Sequence, residues 1–537
     1  MTEKLAILWP EILLFIGTCL VMITGQWPNR AIRQFTPWIC FIALTLAFFA
    51  AMTSPSTSGM FPELIPYAKM MIAAVGLMIL LLLSGTVDRR LEAEVDKGRR
   101  FESIRSNRGE FYAFFMFSLT GLMLTASADD LIWLFLALEL TSLPTYIMVA
   151  ISREEDTALE AAVKYFFLGA LGAAIFLYGF ALVYGATGST NLAEIAAVFA
   201  AEGISPIGMI GLLVAVIGVS FKIAAVPMHF YTPDVYQGAA SPVSAMLAFV
   251  PKTAGFLALM MLLGTAGWGF ASGADASGHL PIELEATLWI MAALTMTVGN
   301  VLALLQSSVK RILAYSSIAH SGYMLVGIIA GPGSPGSPFY ENGLAAVLFY
   351  LLTYGVMTTG TFAVLASLEH RDGKEADHID DIRGICKSHP VLGWTLIICV
   401  LSTLGFPPLL GFIAKVGLFT SGIAAGHIAL VVILAINSAI AAAYYLRLVA
   451  VAYIDDSEKP SSPVYPSPFP MRRVAGVISA FGVIFLLVFS APLVDGAVNA
   501  ATFVAPTPQP ADAAATDNPS GPDENTMALG DPPPADD

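Results

Sequence analysis

The sequence predicts an all-α polytopic membrane protein of about 14 transmembrane helices, with two inverted five-helix repeats and with helices 7 and 12 broken. Three observations point there. Hydrophobic residues make up 56% of the chain and charged ones only 12%, with a mean hydropathy of +0.74. A soluble globular domain carries about 25% charged residues. Loop lysines and arginines occur in every second loop only. Two apolar segments are interrupted by proline and glycine, and each has a lysine beside the interruption.

A spanning helix needs about 20 mostly apolar residues. The N-terminal segment, 1–88, holds three such runs, near 5–25, 36–53 and 67–87. The first reads as a retained helix rather than a removed signal peptide, since it carries Glu3 and Glu11 and lacks an Ala-x-Ala-like cleavage site. Glu11 follows Pro10 and is expected to cap a helix start, where the dipole favours a carboxylate. Lys69 is expected to reach headgroups from the outer end of the third span. Residues 89–110 mix both charge signs and read as a solvated cytoplasmic loop.

The first repeat, 111–265, holds helices 4–8 near 111–128, 130–150, 162–185, 207–230 and 240–264. Asp129 and Asp130 part the first two and suit the N-terminus of the second. The second repeat, 286–453, holds helices 9–13 near 286–306, 310–330, 343–368, 390–421 and 427–452. A last helix covers 473–495. The acidic tail, 500–537, is rich in Pro, Ala and Asp and too poor in large apolar residues to fold. Much of the net charge of −14 lies in 88–110 and 505–537, so it says little about partners. Cys19, Cys40 and Cys399 lie in apolar runs and read as small core residues.

Orientation follows from the positive-inside rule. The seven cations from Arg89 to Arg108 put that loop in the cytoplasm. Alternation then places inside Arg30 and Arg33, Arg153, Lys310 and Arg311, the 371–387 cations, and Arg472 and Arg473. The loops left outside, near 54–66, 186–206, 265–285, 331–342 and 422–426, contain no Lys or Arg. Both termini are therefore expected on the periplasmic side.

A few charges remain inside the spans. Glu139 sits in LIWLFLALELTSLPTY, Lys222 in IGVSFKIAAVP, Lys252 in SAMLAFVPKTAGF and Lys415 in LGFPPLLGFIAKVGLF. A charge at membrane depth costs between about 3 and 17 kcal/mol, so such residues are rare and tend to be functional. Lys252 and Lys415 lie too deep in their spans to reach an interface easily. Lys164, nearer a helix end, is open between function and reaching the surface. His320 is open between a relay group and one that satisfies a local carbonyl. Helix 7 breaks around Pro227 with Lys222 before it, and helix 12 around Pro407–Gly411 with Lys415 after it. Opposite order is what an inverted repeat gives, and paired broken helices mark an ion path near the midplane. Burial and a neighbouring cation lower a lysine pKa, and a nearby carboxylate raises it. Moving Glu139 relative to Lys222 could therefore switch proton affinity. No GxxxxGK[ST], no GxGxxG after a strand and no cysteine cluster is present, so the energy must come from elsewhere.

These stretches resemble a known family. ALELTSLPTY (137–146), EAAVKYFFLGA (160–170), SFKIAAVPMHFYTPDVYQGAASPVSAMLA (220–248), KRILAYSSIAHSGYML (310–325) and LGFPPLLGFIAKVGLF (404–419) are similar to the antiporter-like membrane subunits of bacterial NADH-quinone oxidoreductase, respiratory complex I, and within them to the subunit N family. Lysine in helix 12, where one close relative has glutamate, and the absence of a long lateral helix after Leu493 favour subunit N. The resemblance implies a proton-translocating membrane-arm subunit, part of a translocase whose quinone reduction happens in other subunits. It implies Glu139 and Lys222 as the charged pair, Lys252 as central relay and Lys415 as distal lysine, with Lys164 a further family lysine. It implies no cofactor or metal in this chain, with NADH, FMN, iron–sulfur clusters and quinone in partner subunits. The expected partners are other membrane-arm subunits and the lipid bilayer of the bacterial inner membrane, not nucleic acid. The alternative is a subunit of a multisubunit cation/proton antiporter or of a related hydrogenase membrane arm.

Overall fold

The computed structural model describes residues 2–57, 59–268, 279–453 and 464–504. From residue 505 on, the tail expected to be disordered lies outside the described residues. The chain begins with α1 (Thr2–Gly25), α2 (Arg30–Met52) and α3 (Leu64–Leu82). The short α4 (Arg89–Asp96) follows, then α5 (Arg108–Ala126), α6 (Leu131–Ile151), α7 (Asp156–Thr187) and α8 (Leu192–Glu202). Next come α9 (Pro206–Ser220), α10 (Thr232–Gly238) and α11 (Ser241–Ala266). The second half holds α12 (Ile282–Leu304), α13 (Val309–Ala330), α14 (Gly343–Ala366), α15 (Ile385–Ser388), α16 (Pro390–Leu404), α17 (Leu410–Ala424) and α18 (Ile428–Tyr453). It closes with α19 (Pro470–Val488) and α20 (Ser490–Ala500). Two two-residue strands, Leu368–Glu369 and Tyr465–Pro466, pair antiparallel.

Among the described residues twelve helices are long and apolar enough to cross a membrane. The two other expected spans are the broken ones, whose halves α9, α16 and α17 are shorter. The last helix stops at Val488, and the separate α20 follows. Helix starts are set by side chains that accept orphan backbone N–H groups. Asp130 accepts from Ile132 and Trp133 at α6, Ser308 from Arg311 at α13, and Asn342 from Ala345 at α14.

Burial divides the bundle into a centre and a shell. Every residue of α11 and α14 is buried, whereas α1, α2 and α19 expose most of their apolar windows. A helix apolar all round belongs inside protein, and the outer ones meet lipid along one side. Cys40 and Cys399 are buried as expected, but Cys19 is exposed on α1.

The basic loops meet on one face and are tied there by carboxylates. Arg33 lies 3.1 Å from Glu92, Arg90 2.6 Å from Glu154, and Arg153 2.6 Å from Glu375. Half of the residues of segment 89–110 are exposed, as a solvated loop would have them, but the segment is tied down at Glu92. Part of it forms α4, whose Glu92 also takes Arg30 and Arg108 and whose Asp96 takes Arg30.

Glu11 and Lys69 also differ from expectation. Pro10 sits inside α1 rather than at its start, so Glu11 does not cap that helix. Its carboxylate lies 2.7 Å from Lys69 Nζ, and the Lys69 side chain is fully buried, donating to the Ile7 carbonyl at 2.6 Å. Two opposite charges at the same depth pair sooner than either travels to water. Removing one partner of a buried pair costs about 3–5 kcal/mol, whereas an apolar pair of similar volume is often neutral. Lys69→Ala is accordingly expected to lower thermal stability in detergent, and Lys69→Met with Glu11→Leu to restore most of it.

Candidate functional site

The first break opens after Ser220, where α9 ends. Pro227 lacks an N–H and clashes with a continuing helix. Its bond to Val226 is cis, and Ala224 takes a left-handed φ of 55°. Non-helical backbone at this depth persists only if protein or water satisfies it. Here side chains from three directions do so. Val226 N donates to Thr295 Oγ1 of α12 at 2.9 Å, Ser321 of α13 donates to the Ile223 carbonyl, and the Tyr231 hydroxyl donates to the Phe221 carbonyl at 2.8 Å.

Lys222 stands in this break. Its Nζ lies 3.0 Å from Glu139 Oε1 and donates to Ser142 Oγ at 2.7 Å. Glu139 and Ser142 are three residues apart on α6 and so share one helix face. The Lys222 side chain is 1% exposed and that of Glu139 18%. Gly255 allows α11 to press against the break. A Cβ there would come within 2.5 Å of Ile223 Cγ2 and 3.0 Å of Lys222 Cβ.

Lys252 projects from α11 into the same region. It donates to the Ser317 carbonyl and, at 2.7 Å, to Ser321 Oγ. Since Ser321 also touches Ile223, one serine connects Lys252 to the break that carries Lys222. A cavity of about 10 Å³ lies between the two lysines, lined also by Tyr165, Tyr231 and Tyr236. That is about the least volume that holds one water.

His320 lies on α13, buried. Its Nδ1 is 2.5 Å from the Tyr350 hydroxyl and its Nε2 2.9 Å from that of Tyr445. Its ring packs against Tyr354 and Tyr323, with centroids 5.1 and 5.4 Å away. Lys252 Nζ faces the Tyr354 ring at 5.6 Å, and Lys415 Nζ faces the Tyr323 ring at 5.0 Å. His320 thus stands between the two lysines, with side-chain partners rather than a local carbonyl. A cation over an aromatic face is stabilised without being neutralised.

Lys415, on α17, reaches back across the second break and donates to the Leu404 carbonyl at 2.7 Å. That oxygen is at the C-terminal end of α16, where the helix dipole favours a cation. Gly405 makes this approach possible. It has φ +86°, and a Cβ there would lie 2.8 Å from Lys415 Cδ. Gly405→Ala is expected to displace the ammonium and to lower turnover severalfold in the assembled protein, read as the rate of proton uptake by vesicles. An unchanged rate would show that the position of Lys415 is unimportant.

Lys164 stands apart from this row. It is 43% exposed and pairs with Glu160 at 2.7 Å and Asp234 at 3.0 Å. Sequence reasoning missed the uncharged members, Ser321, Tyr323, Tyr350 and Tyr445, because a core serine or tyrosine carries no signal of its own. It also missed Asn300, whose Nδ2 donates to Tyr323 at 2.9 Å and whose Oδ1 accepts from Tyr444 at 3.0 Å. An asparagine within an apolar span was the signal that could have found it.

A second cluster was hidden among loop charges. Buried Glu375 lies 2.6 Å from Arg153 and 3.3 Å from Lys310, and accepts from Ser241 N and Oγ at 2.8 and 2.7 Å. Burial alone would push its carboxyl pKa up, but Lys310, Arg153 and Arg472 outweigh this and hold it well below the usual carboxylate range. Glu375 thus favours its ionised form and ties the loops together through Arg153, Lys310 and Ser241. Because its folded pKa is depressed, its stabilisation is present above the unfolded value of about 4.3 and fades only as pH falls below that. Glu375→Gln is expected to cost about 3–5 kcal/mol at neutral pH, where it leaves buried cations unpaired. The gap from the native protein should narrow in acid, as thermal unfolding at several pH values would show.

Residues 128–441 match the family model described as NADH:quinone oxidoreductase/Mrp antiporter, TM. The chain is 35% identical over 497 residues to NADH-quinone oxidoreductase subunit N of Nitrosomonas europaea, covering 92% of this chain and 97% of that one. It is 36% identical to the subunit N of Trichlorobacter lovleyi, covering 85% and 89%. It is similar to a chain of respiratory complex I from Thermus thermophilus, with a TM-score of 0.72, 31% identity and coverage of 90% and 98%. A chain of the Mrp complex from Dietzia shares the fold, with a TM-score of 0.73 at 17% identity and coverage of 93% and 97%.

Proposed function

The chain belongs to the subunit N family of NADH-quinone oxidoreductase, a proton-translocating membrane subunit, and we propose that Glu139, Lys222, Lys252, His320 and Lys415 carry its protons. One observation carries this reading. The ionisable row is enclosed by protein from the first helix break to the second, and adjacent members share a hydroxyl, a ring or a cavity. Glu139 sets the proton affinity of Lys222 through a contact that lengthens or shortens. A proton leaving Lys222 reaches Lys252 through the small cavity that both lysines line, and then Lys415 past His320.

NADH, FMN, iron–sulfur clusters and quinone belong to partner subunits. No nucleotide motif or cysteine cluster in this sequence offers them a site. The neighbours of this chain are other membrane-arm subunits, and the exposed apolar sides of its outer helices meet them or lipid. Alternation of loop cations supports both termini outside. The opposite placement of Lys222 and Lys415 about their breaks supports two inverted five-helix units.

The test is His320→Gln in the assembled complex. Glutamine can still hydrogen-bond Tyr350 and Tyr445 but cannot take up a proton. Proton pumping in reconstituted vesicles should fall by about a hundredfold, the lower end of the range typical for a positioned acid–base group. Pumping at the native rate would mean that the two halves of the row are not joined through this residue.

A further inference from the structure

At the end of α12 away from Lys310 and Arg311, three ligating side chains gather that take no part in the row. His279 precedes α12, Glu285 is in its first turn and His427 directly precedes α18. His279 and His427 are far apart in sequence, so no motif announces them.

Glu285 Oε2 lies 3.6 Å from His279 Nδ1, and Glu285 Oε1 lies 3.8 Å from His427 Nδ1. Both separations exceed a hydrogen bond. The imidazoles meet edge to face with centroids 5.4 Å apart. One ligand atom from each of the three residues lies within 4.8 Å of the others. A tetrahedral Zn²⁺ at 2.0–2.1 Å from its nitrogen and oxygen ligands keeps those atoms about 3.3 Å apart. The observed gaps would close to this with small side-chain rotations.

A second observation concerns His427 itself. Its side chain is only 8% exposed, and its Nδ1, turned toward Glu285, lies beyond hydrogen-bond distance of that carboxylate. Buried polar groups are ordinarily paired. His279 and Glu285 are 39% and 20% exposed, so an ion can enter from solvent. Two imidazoles and one carboxylate form the ligand set of three-ligand zinc sites that leave a fourth position for water.

We propose that His279, Glu285 and His427 bind a Zn²⁺ ion. The ion ties the segment before α12, the first turn of α12 and the head of α18. α12 and α18 also meet deeper in the bundle, where Asn300 contacts Asn437 at 3.3 Å. The metal therefore pins the outer end of the helix pair that supports Tyr323 and, through it, the surroundings of Lys415.

The experiment uses the detergent-purified complex, stripped with a chelator and equilibrated with radioactive Zn²⁺. The native complex should retain about one more equivalent per copy of this chain than the His279→Ala/His427→Ala double variant. Glu285→Gln, nearly isosteric, should weaken that binding at least tenfold, and His389→Gln should leave it unchanged. Zn²⁺ should raise the thermal midpoint of the native complex and not that of the double variant, because a ligand bound only to the folded state stabilises it. Equal Zn²⁺ retention by native and double-variant complexes would overturn the proposal. So would full affinity in Glu285→Gln, which covers the case in which the double variant fails to assemble.

Discussion

Replacing Lys252 by arginine should leave the complex assembled and stop proton transfer. Lys252 is 2% exposed and held by the Ser317 carbonyl and Ser321 Oγ. Arginine keeps a positive charge and has donors for both oxygens. Its guanidinium, however, does not give up its proton in proteins. A lysine can be driven to release its proton by burial and by the arrival of a neighbouring cation. If the row only holds helices together, the exchange of one buried cation for another should be close to silent once assembly is normal. If the row conducts, pumping and the quinone reduction coupled to it should fall by more than tenfold, since a barrier raised by about 1.36 kcal/mol already gives that factor. The measurement is proton uptake by vesicles alongside NADH oxidation. Native rates in an assembled Lys252→Arg complex would refute conduction through this residue.

Lys222→Ala should have two effects at once. The first is on stability. It removes the partner of Glu139 and the donor to Ser142. Stranding one member of a buried pair costs about 3–5 kcal/mol, and the lower end applies because Glu139 keeps 18% exposure. The second is on turnover, which should fall more than tenfold because the switchable proton site is gone. Glu139→Gln separates the two. With Lys222 present, it leaves the ammonium without its counter-charge. In the double variant neither charge remains, so its stability cost should be smaller than the sum of the single costs. Additive costs would show that the 3.0 Å contact contributes nothing.

Much of this protein is legible in the order of its residues. Apolar runs of sufficient length and one-sided loop cations locate the helices, because desolvation of backbone and charge acts residue by residue along the chain. Glu139, Lys222, Lys252 and Lys415 stand out for the same reason. Each is an ionisable group where almost every neighbour is apolar. What fails to show is pairing. From the sequence Lys69 reads as reaching for headgroups and Glu11 as a helix cap, and it takes the folded bundle, which brings the Lys69 side chain of α3 to α1, to make them a buried pair. Glu375 looks like one loop charge among many until the loops close around it.

Local composition and spacing therefore suffice for the membrane class and for the positions of the spanning helices and their two breaks, and the resemblance of five stretches adds the family. They do not say which groups touch. The folded bundle joins Lys222 to Glu139 across 83 residues, Lys252 to Ser321 across 69, and His320 to Tyr445 across 125. Such contacts are chosen by the packing of whole helices. The strength of one hydrogen bond depends on a few tenths of an ångström, which no spacing along a chain encodes.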